Sequence, residues 1–247
     1  MSRRLSEVDR FTLERLNEAR RQRQAAILVT NLASGVVRLV REDDAGLDRM
    51  IEPALAELLP ERFRSARSGL VQTADGDEFF LTVHVPPPRL VIIGAVHISQ
   101  ALAPMARIAG FDVTIIDPRT AFATPERFAD VAVLAEWPED VLKRAPLDAF
   151  TAVAALTHDP KIDDEPIRAA LAAGCFYVGA LGSRKTHAKR IERLQAAGVS
   201  PAATATIRAP IGLAIGAQSP AEIAVSVLAE LVEALRKRGV VATELAS

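Results

Sequence analysis

The stretch from Arg89 to Asp117, RLVIIGAVHISQALAPMARIAGFDVTIID, constrains this chain more than any other. An apolar run from Leu90 to Ile93 enters a turn at Gly94. An alanine-rich helical segment follows, stopped by Gly110, and a second apolar run ends in Asp117. That order predicts a βαβ unit, in which the chain leaves the first strand in a tight turn and the next helix points free backbone N–H groups at a phosphate. Asp117 stands 23 residues after Gly94, near the spacing of about 20 at which an acid meets a ribose hydroxyl. The glycine fingerprint is incomplete. In the G-x-G-x-x-G register Val96 takes the second place and Ser99 the third, so a valine side chain stands where phosphate normally approaches backbone. Pro104 predicts a kinked or late-starting helix, because it removes one hydrogen bond and crowds the preceding turn.

The alternation continues after Asp117. Strands are expected over 130–135, 149–156 and 176–181, and helices over 138–144, 164–173 and 184–197. Strands separated by helices of that length build a parallel sheet. Ser219-Pro220-Ala221-Glu222 then combines a serine cap, proline at the first helical position and glutamate at the third, opening a last helix that Gly239 ends. Glu222, Ser226, Glu230 and Glu233 form a narrow polar stripe along it. So narrow a stripe predicts burial on more than one side, against the sheet and against either another domain or a second subunit.

Upstream, Pro86-Pro87-Pro88 makes a stiff spacer and marks the expected domain boundary. In the section before it, Ser6 is expected to cap a helix with Leu5, Val8, Thr12, Leu16 and Ala19 on one face. Residues 25–30 and 35–41 read as one hairpin, and 70–72 and 78–85 as another turning at 74–77. An amphipathic segment beginning near Asp48, with Met50 on its apolar face, is expected to stop at Pro60. The fold class is therefore α/β: a Rossmann-like parallel sheet flanked by helices over 89–247, with a smaller N-terminal α+β domain over 1–85.

A formal net charge of −1 leaves no electrostatic footprint for nucleic acid or an anionic membrane. No uncharged apolar run is long enough to suggest a membrane span. Ser2-Arg3-Arg4-Leu5 lacks the apolar region of an export signal, so a cytoplasmic protein is expected. The single cysteine, Cys175, excludes an intramolecular disulfide, opens an apolar run and reads as a buried, inert thiol.

Three stretches fall where strands should end, the place where parallel sheets bind ligands. Thr157-His158-Asp159 presents a titratable imidazole, or is a polar turn before Pro160. Gly182-Ser183-Arg184-Lys185-Thr186-His187 sets two cations at the positive end of a helix, which is unfavourable unless an anion lies between them; the plainer reading is surface arginine and lysine. Ala209 to Ala217 carries Gly212 and Gly216 in an apolar loop, suited to backbone contact with a ligand or to a buried turn. His97, in the first turn, is a further candidate. No metal-site spacing is present, and no nucleophile, base and orienter can be assembled.

Taken in order, IIGAVHISQALAPMARIAGFDVTIIDPR, LTHD, YVGALGSRKT and APIGLAIGAQSPAEIAVSVLAELV resemble the C-terminal Rossmann-type domain of the xanthine dehydrogenase accessory factor family (XdhC/CoxI), over about residues 90 to 236. The resemblance implies a non-catalytic chaperone that binds molybdenum cofactor as cargo, as molybdopterin or its dinucleotide. Such a chaperone protects the cofactor while its terminal sulfur is installed and delivers it to an apo molybdenum hydroxylase. It also implies a cysteine desulfurase as a further partner and a homodimer. Carried across, it implicates Gly94, Ala95 and His97 in the first turn, Asp117 and Arg119 after the second strand, and Thr157, His158 and Asp159. Gly182, Ser183, Arg184 and Lys185 follow, then Pro210 with Gly212. Two features depart from the family. Val96 replaces a glycine, against a dinucleotide lying conventionally across this turn, and residues 1–85 hold no cysteine, so no thiol-dependent step is expected there. Two rival readings stand beside it: an NAD(P)-dependent oxidoreductase using Gly94 and Asp117 with His158 as proton donor, and a nucleotide-sensing regulatory protein.

Overall fold

The computed structural model describes residues 8–42, 44, 51–128 and 130–238. Contacts divide the chain into two compact units. One runs to Pro86 and takes in the chain again from Arg236; the other is Pro87–Leu235.

In the first unit, helix α1 (Arg10–Arg21) precedes strands β1 (Ala26–Asn31) and β2 (Val37–Arg41). Short helices α2 (Pro53–Ala56) and α3 (Leu59–Ser65) then lead to β3 (Gly69–Gln72) and β4 (Glu78–His84). Each expected hairpin forms, and antiparallel pairing of β1 with β4 joins them in the order β2-β1-β4-β3. Leu16 and Ala19 of α1 pack with Ala26, Leu28 and Leu39 of the sheet. Two boundaries differ from expectation. Asp9, not Ser6, caps α1, because its short carboxylate accepts the Thr12 N–H at 2.7 Å; Ser6 lies outside the described residues. Pro60 sits in the first turn of α3 instead of stopping a helix, since the N–H it lacks is one that a helix start leaves unpaired. Asp48 and Met50 also lie outside the described residues.

The second unit is built on five parallel strands: β5 (Arg89–Ile93), β6 (Asp112–Ile116), β7 (Ala132–Leu134), β8 (Thr151–Ala155) and β9 (Tyr177–Ala180). Their order is β7-β6-β5-β8-β9. Arg208 adds one parallel bridge to Gly179 at the β9 edge. The helices are α4 (His97–Ile108), α5 (Pro138–Arg144), α6 (Pro160–Ala172), α7 (Arg184–Ala196), α8 (Pro201–Ala205) and α9 (Pro220–Lys237).

Side chains alternate across a strand, so β5 serves two cores. Leu90 and Ile92 pack with Leu102 of α4 and Val227 and Leu231 of α9. Val91 and Ile93 pack with Val141 of α5, Ile162 and Ile167 of α6 and Leu194 of α7. Coverage of both faces explains why these strands read as unbroken apolar runs. Helix α4 starts at His97 and continues through Pro104, whose ring is exposed. Helix α6 begins at Pro160, not Asp164: Asp159 accepts the Lys161 N–H at 2.9 Å and proline opens the helix. Helix α8, capped by Ser200 at 3.1 Å from the Ala203 nitrogen, was not expected from periodicity. The serine–glutamate box of α9 forms, Ser219 accepting the Glu222 N–H at 3.2 Å while Glu222 accepts the Ser219 N–H at 3.0 Å.

Strand order reverses between β5 and β8, so the chain departs in opposite directions from their adjacent carboxyl ends. There Gly94 has φ +116°, and a Cβ on it would lie 2.9 Å from Thr157 Cγ2 and 3.3 Å from the Thr157 nitrogen. Gly94→Ala is therefore expected to cost about 1–3 kcal/mol of stability, read as a lower urea midpoint. An unchanged midpoint would contradict the close approach.

Candidate functional site

In a parallel sheet every strand delivers its following loop to the same edge. Residues 94–97 follow β5, 117–119 follow β6, 157–159 follow β8, 182–185 follow β9, and 209–212 follow the Arg208 bridge. All the nominated residues therefore stand along one rim.

The first turn is held from below. Asp117 is fully buried; its Oδ2 accepts the Ala95 N–H at 2.8 Å and Arg119 Nη2 at 2.8 Å. Oδ1 accepts the Arg119 N–H and Nε, both at 2.9 Å. Burial pushes the carboxyl pKa up, but the hydrogen bonds from Arg119 and Ala95 outweigh it and hold it below the ordinary value. A carboxylate offers about four lone-pair sites, and here all are taken. In this geometry Asp117 has no acceptor left for a ribose hydroxyl; it latches the turn instead.

The same turn is held from outside. The Arg119 guanidinium lies 4.7 Å from the Phe122 ring centroid. Arg127 Nη1 donates to the Ala95 carbonyl at 3.1 Å and the Phe122 carbonyl at 2.8 Å. Neither Phe122 nor Arg127 was nominated from the sequence, where two arginines flanking an aromatic were the available sign. Within the turn, buried Ser99 donates to the Gly94 carbonyl at 2.5 Å. Val96 stands at the N-cap of α4 and supplies no side-chain cap, and His97 is exposed.

The Thr157 turn depends on an acid that the sequence does not single out. Asp163, 1% exposed, accepts Thr157 Oγ1 at 2.7 Å and the His158 N–H at 3.0 Å. Burial pushes its carboxyl up to about 6. His158 is thereby held at φ +64°, a left-handed conformation uncommon outside glycine, with its imidazole exposed. In the sequence Asp163 falls one residue before the expected helix 164–173; its place under the turn is a tertiary fact.

At the third loop Gly182 has φ +133°, and Ser183 caps α7 with Oγ 3.2 Å from the Thr186 nitrogen. Arg184 and Lys185 are exposed. At the fourth, Glu230 of α9 accepts the Gly212 N–H at 2.8 Å and the Tyr177 hydroxyl at 2.6 Å. Burial and the neighbouring carboxylate push the Tyr177 pKa well up, keeping the phenol a donor. Gly212 has φ +91°, and a Cβ there would collide with Ser226. Pro210 is exposed beside it. The polar stripe of α9 is thus only partly a solvent face: Ser226 and Glu230 are buried, while Val225 and Val232 are 49% and 38% exposed. Burial pushes the Cys175 thiol up to about 12, which makes it a poor nucleophile.

Comparison with known proteins finds the XdhC Rossmann domain over residues 90–231. The chain is 34% identical to the uncharacterized protein YqeB of Escherichia coli (strain K12), over 73% of this chain and 34% of that protein. It is 35% identical to a probable xanthine dehydrogenase subunit of Bacillus subtilis (strain 168), over 63% of this chain and 46% of that one. It is 36% identical to the molybdenum cofactor insertion chaperone PaoD of Escherichia coli (strain K12), over 59% of this chain and 40% of that one. The chain thus spans between about a third and a half of these relatives' lengths. A crystal structure described as a xanthine dehydrogenase from Bacillus halodurans shares the fold, with TM-score 0.57 and 23% identity over 92% of this chain and 64% of that one.

Asp163 binds its proton more tightly in the folded chain than in the unfolded one. Its contribution to stability is full below the ordinary 3.8 and is lost as pH rises through about 6. Urea denaturation should therefore show wild-type stability minus that of Asp163→Asn falling by on the order of 2–3 kcal/mol between about pH 4 and 7. A difference that stays flat across that window would show that burial does not raise this acid.

Proposed function

The chain belongs to the XdhC family, and from that premise we propose that it is a molybdenum cofactor chaperone, an accessory factor and not itself a catalyst. Its Rossmann-like domain, Pro87–Leu235, holds the anionic pterin as cargo along the carboxyl rim of the sheet and delivers it to an apo molybdenum hydroxylase of the xanthine/aldehyde dehydrogenase type. A cytoplasmic setting, a homodimer and a cysteine desulfurase as the source of the terminal sulfur belong to the same reading. The names of two relatives, a molybdenum cofactor insertion chaperone and a probable xanthine dehydrogenase subunit, support it.

The observation that carries the reading is the gathering of separate loops on one edge, several of them fixed by buried carboxylates, with polar side chains left exposed beside them. Asp117, Asp163 and Glu230 face inward and set backbone position. His97, His158, Arg184 and Lys185 are left at the surface of the rim. Such an edge suits a guest gripped at several points. Against a nicotinamide dinucleotide stand Val96 in the close-approach position and Asp117 with its oxygens engaged.

The test is to purify the chain from cells that make molybdenum cofactor and measure molybdenum together with oxidised pterin fluorescence. The preparation is then incubated with the apo-hydroxylase and the recovered activity read. Pterin and molybdenum are expected to co-purify and to restore activity. The double variant Arg184→Ala, Lys185→Ala is expected to retain roughly tenfold less cofactor at an unchanged melting temperature. Tight binding of NAD(H) or NADP(H) with no pterin retained would reject the chaperone reading.

A further inference from the structure

Between α6 and α7, beside the His158 turn, lies a cavity of about 340 Å³, close to the roughly 300 Å³ at which small-molecule sites begin. Lys185, Lys189 and Arg190 line it from α7, with His158 and Asp163 from the α6 side. Arg193 and Asp164 also line it and pair with each other at 2.6 and 3.0 Å.

Arg190 is the residue that needs a reason. It is 2% exposed, and its Nη2 donates to the Leu181 carbonyl at 2.9 Å. Its Nε and Nη1 are buried and find no hydrogen-bond partner among the described residues. A guanidinium in that state has lost its hydration without replacing it. Asp163 does not resolve this. It acts on Arg190 through charge, but its oxygens are directed to Thr157 and His158. One turn earlier on α7, His187 Nδ1 is likewise buried without a partner.

A buried cation with unmet donors, lining a cavity beside two more cations, describes an anion site. Charge selects the anion. Lys185, Lys189 and Arg190 form no ion pair among the described residues, and of the two lining carboxylates Asp164 is already neutralised by Arg193. Three cations against Asp163 leave two positive charges. A phosphate monoester carries about −1.5 to −2 at neutral pH, whereas a diester or carboxylate carries about −1.

We propose that this cavity binds a phosphate monoester, with Arg190 as its buried anchor and Lys185 and Lys189 closing over the outer oxygens. The anion is thereby placed one turn deeper along α7 than the Gly182 turn, where Ser183 already meets the helix start. The site stands on the cavity alone. Only the identity of its natural ligand rests on the chaperone reading, under which the terminal phosphate of the pterin enters here.

Calorimetric titration of the full chain tests it, with inorganic phosphate, methyl phosphate and dimethyl phosphate as probes. Phosphate and methyl phosphate are expected to bind one per chain, and dimethyl phosphate at least about tenfold more weakly. Lys189→Ala, an exposed change, should weaken phosphate roughly tenfold, while Lys143→Ala on α5 should leave it unchanged. Arg190→Met should abolish binding without lowering the melting temperature; if that variant does not fold, Lys189→Ala decides. No binding, equal binding of the diester, or wild-type affinity in Lys189→Ala would overturn the site. Phosphate binding without pterin retention would uphold the site and sink the chaperone reading. Pterin retention unaffected by Lys189→Ala, with no phosphate binding, would do the reverse.

Discussion

A fully buried carboxylate must be satisfied from within, and the hydrogen bonds from Ala95 and Arg119 to Asp117 are the interaction on which the rim depends. They tie the end of β6 to the turn after β5, and Arg127 closes over that turn from outside. The Ala95 N–H is consumed internally, one residue before the N-cap of α4. Cations gather elsewhere, along α7, where Lys185, Lys189 and Arg190 line one cavity.

Much of the architecture was legible because it follows local rules. Alternating apolar runs and helices gave the parallel sheet, and Ser219-Pro220-Ala221-Glu222 announced the start of α9. The errors were also local. Asp159-Pro160 satisfies both a turn and a helix start, and only packing of Ile162 into the core under β5 and β8 selects the helix from Pro160. Pro60 poses the same ambiguity, as a stop or as a first-turn residue.

The candidate site is legible in the sequence as a set of loop positions, not as the roles its residues take. Loops after strands could be counted from the sequence, so Gly94, Thr157, Gly182 and Gly212 were all nominated. Asp163, Arg190 and Glu230 were not, because Asp163 falls just before the expected helix 164–173, and Arg190 and Glu230 sit on amphipathic helices where a charged residue is expected to face water. What distinguishes them is burial, to 1%, 2% and 9% exposure, and burial of a charge is decided by neighbours distant in the chain. Helix α9 shows this most plainly, hiding Ser226 and Glu230 against the Gly212 loop and turning Val225 outward.

Asp163 belongs to two structures at once. One carboxylate fixes the Thr157–His158 backbone and also faces the charges of the α6–α7 cavity. Any change in the field inside that cavity alters how firmly the carboxylate grips the turn, and any distortion of the turn alters the field in return. An anion bound in that cavity would bias the turn, and the turn the anion, to the same extent.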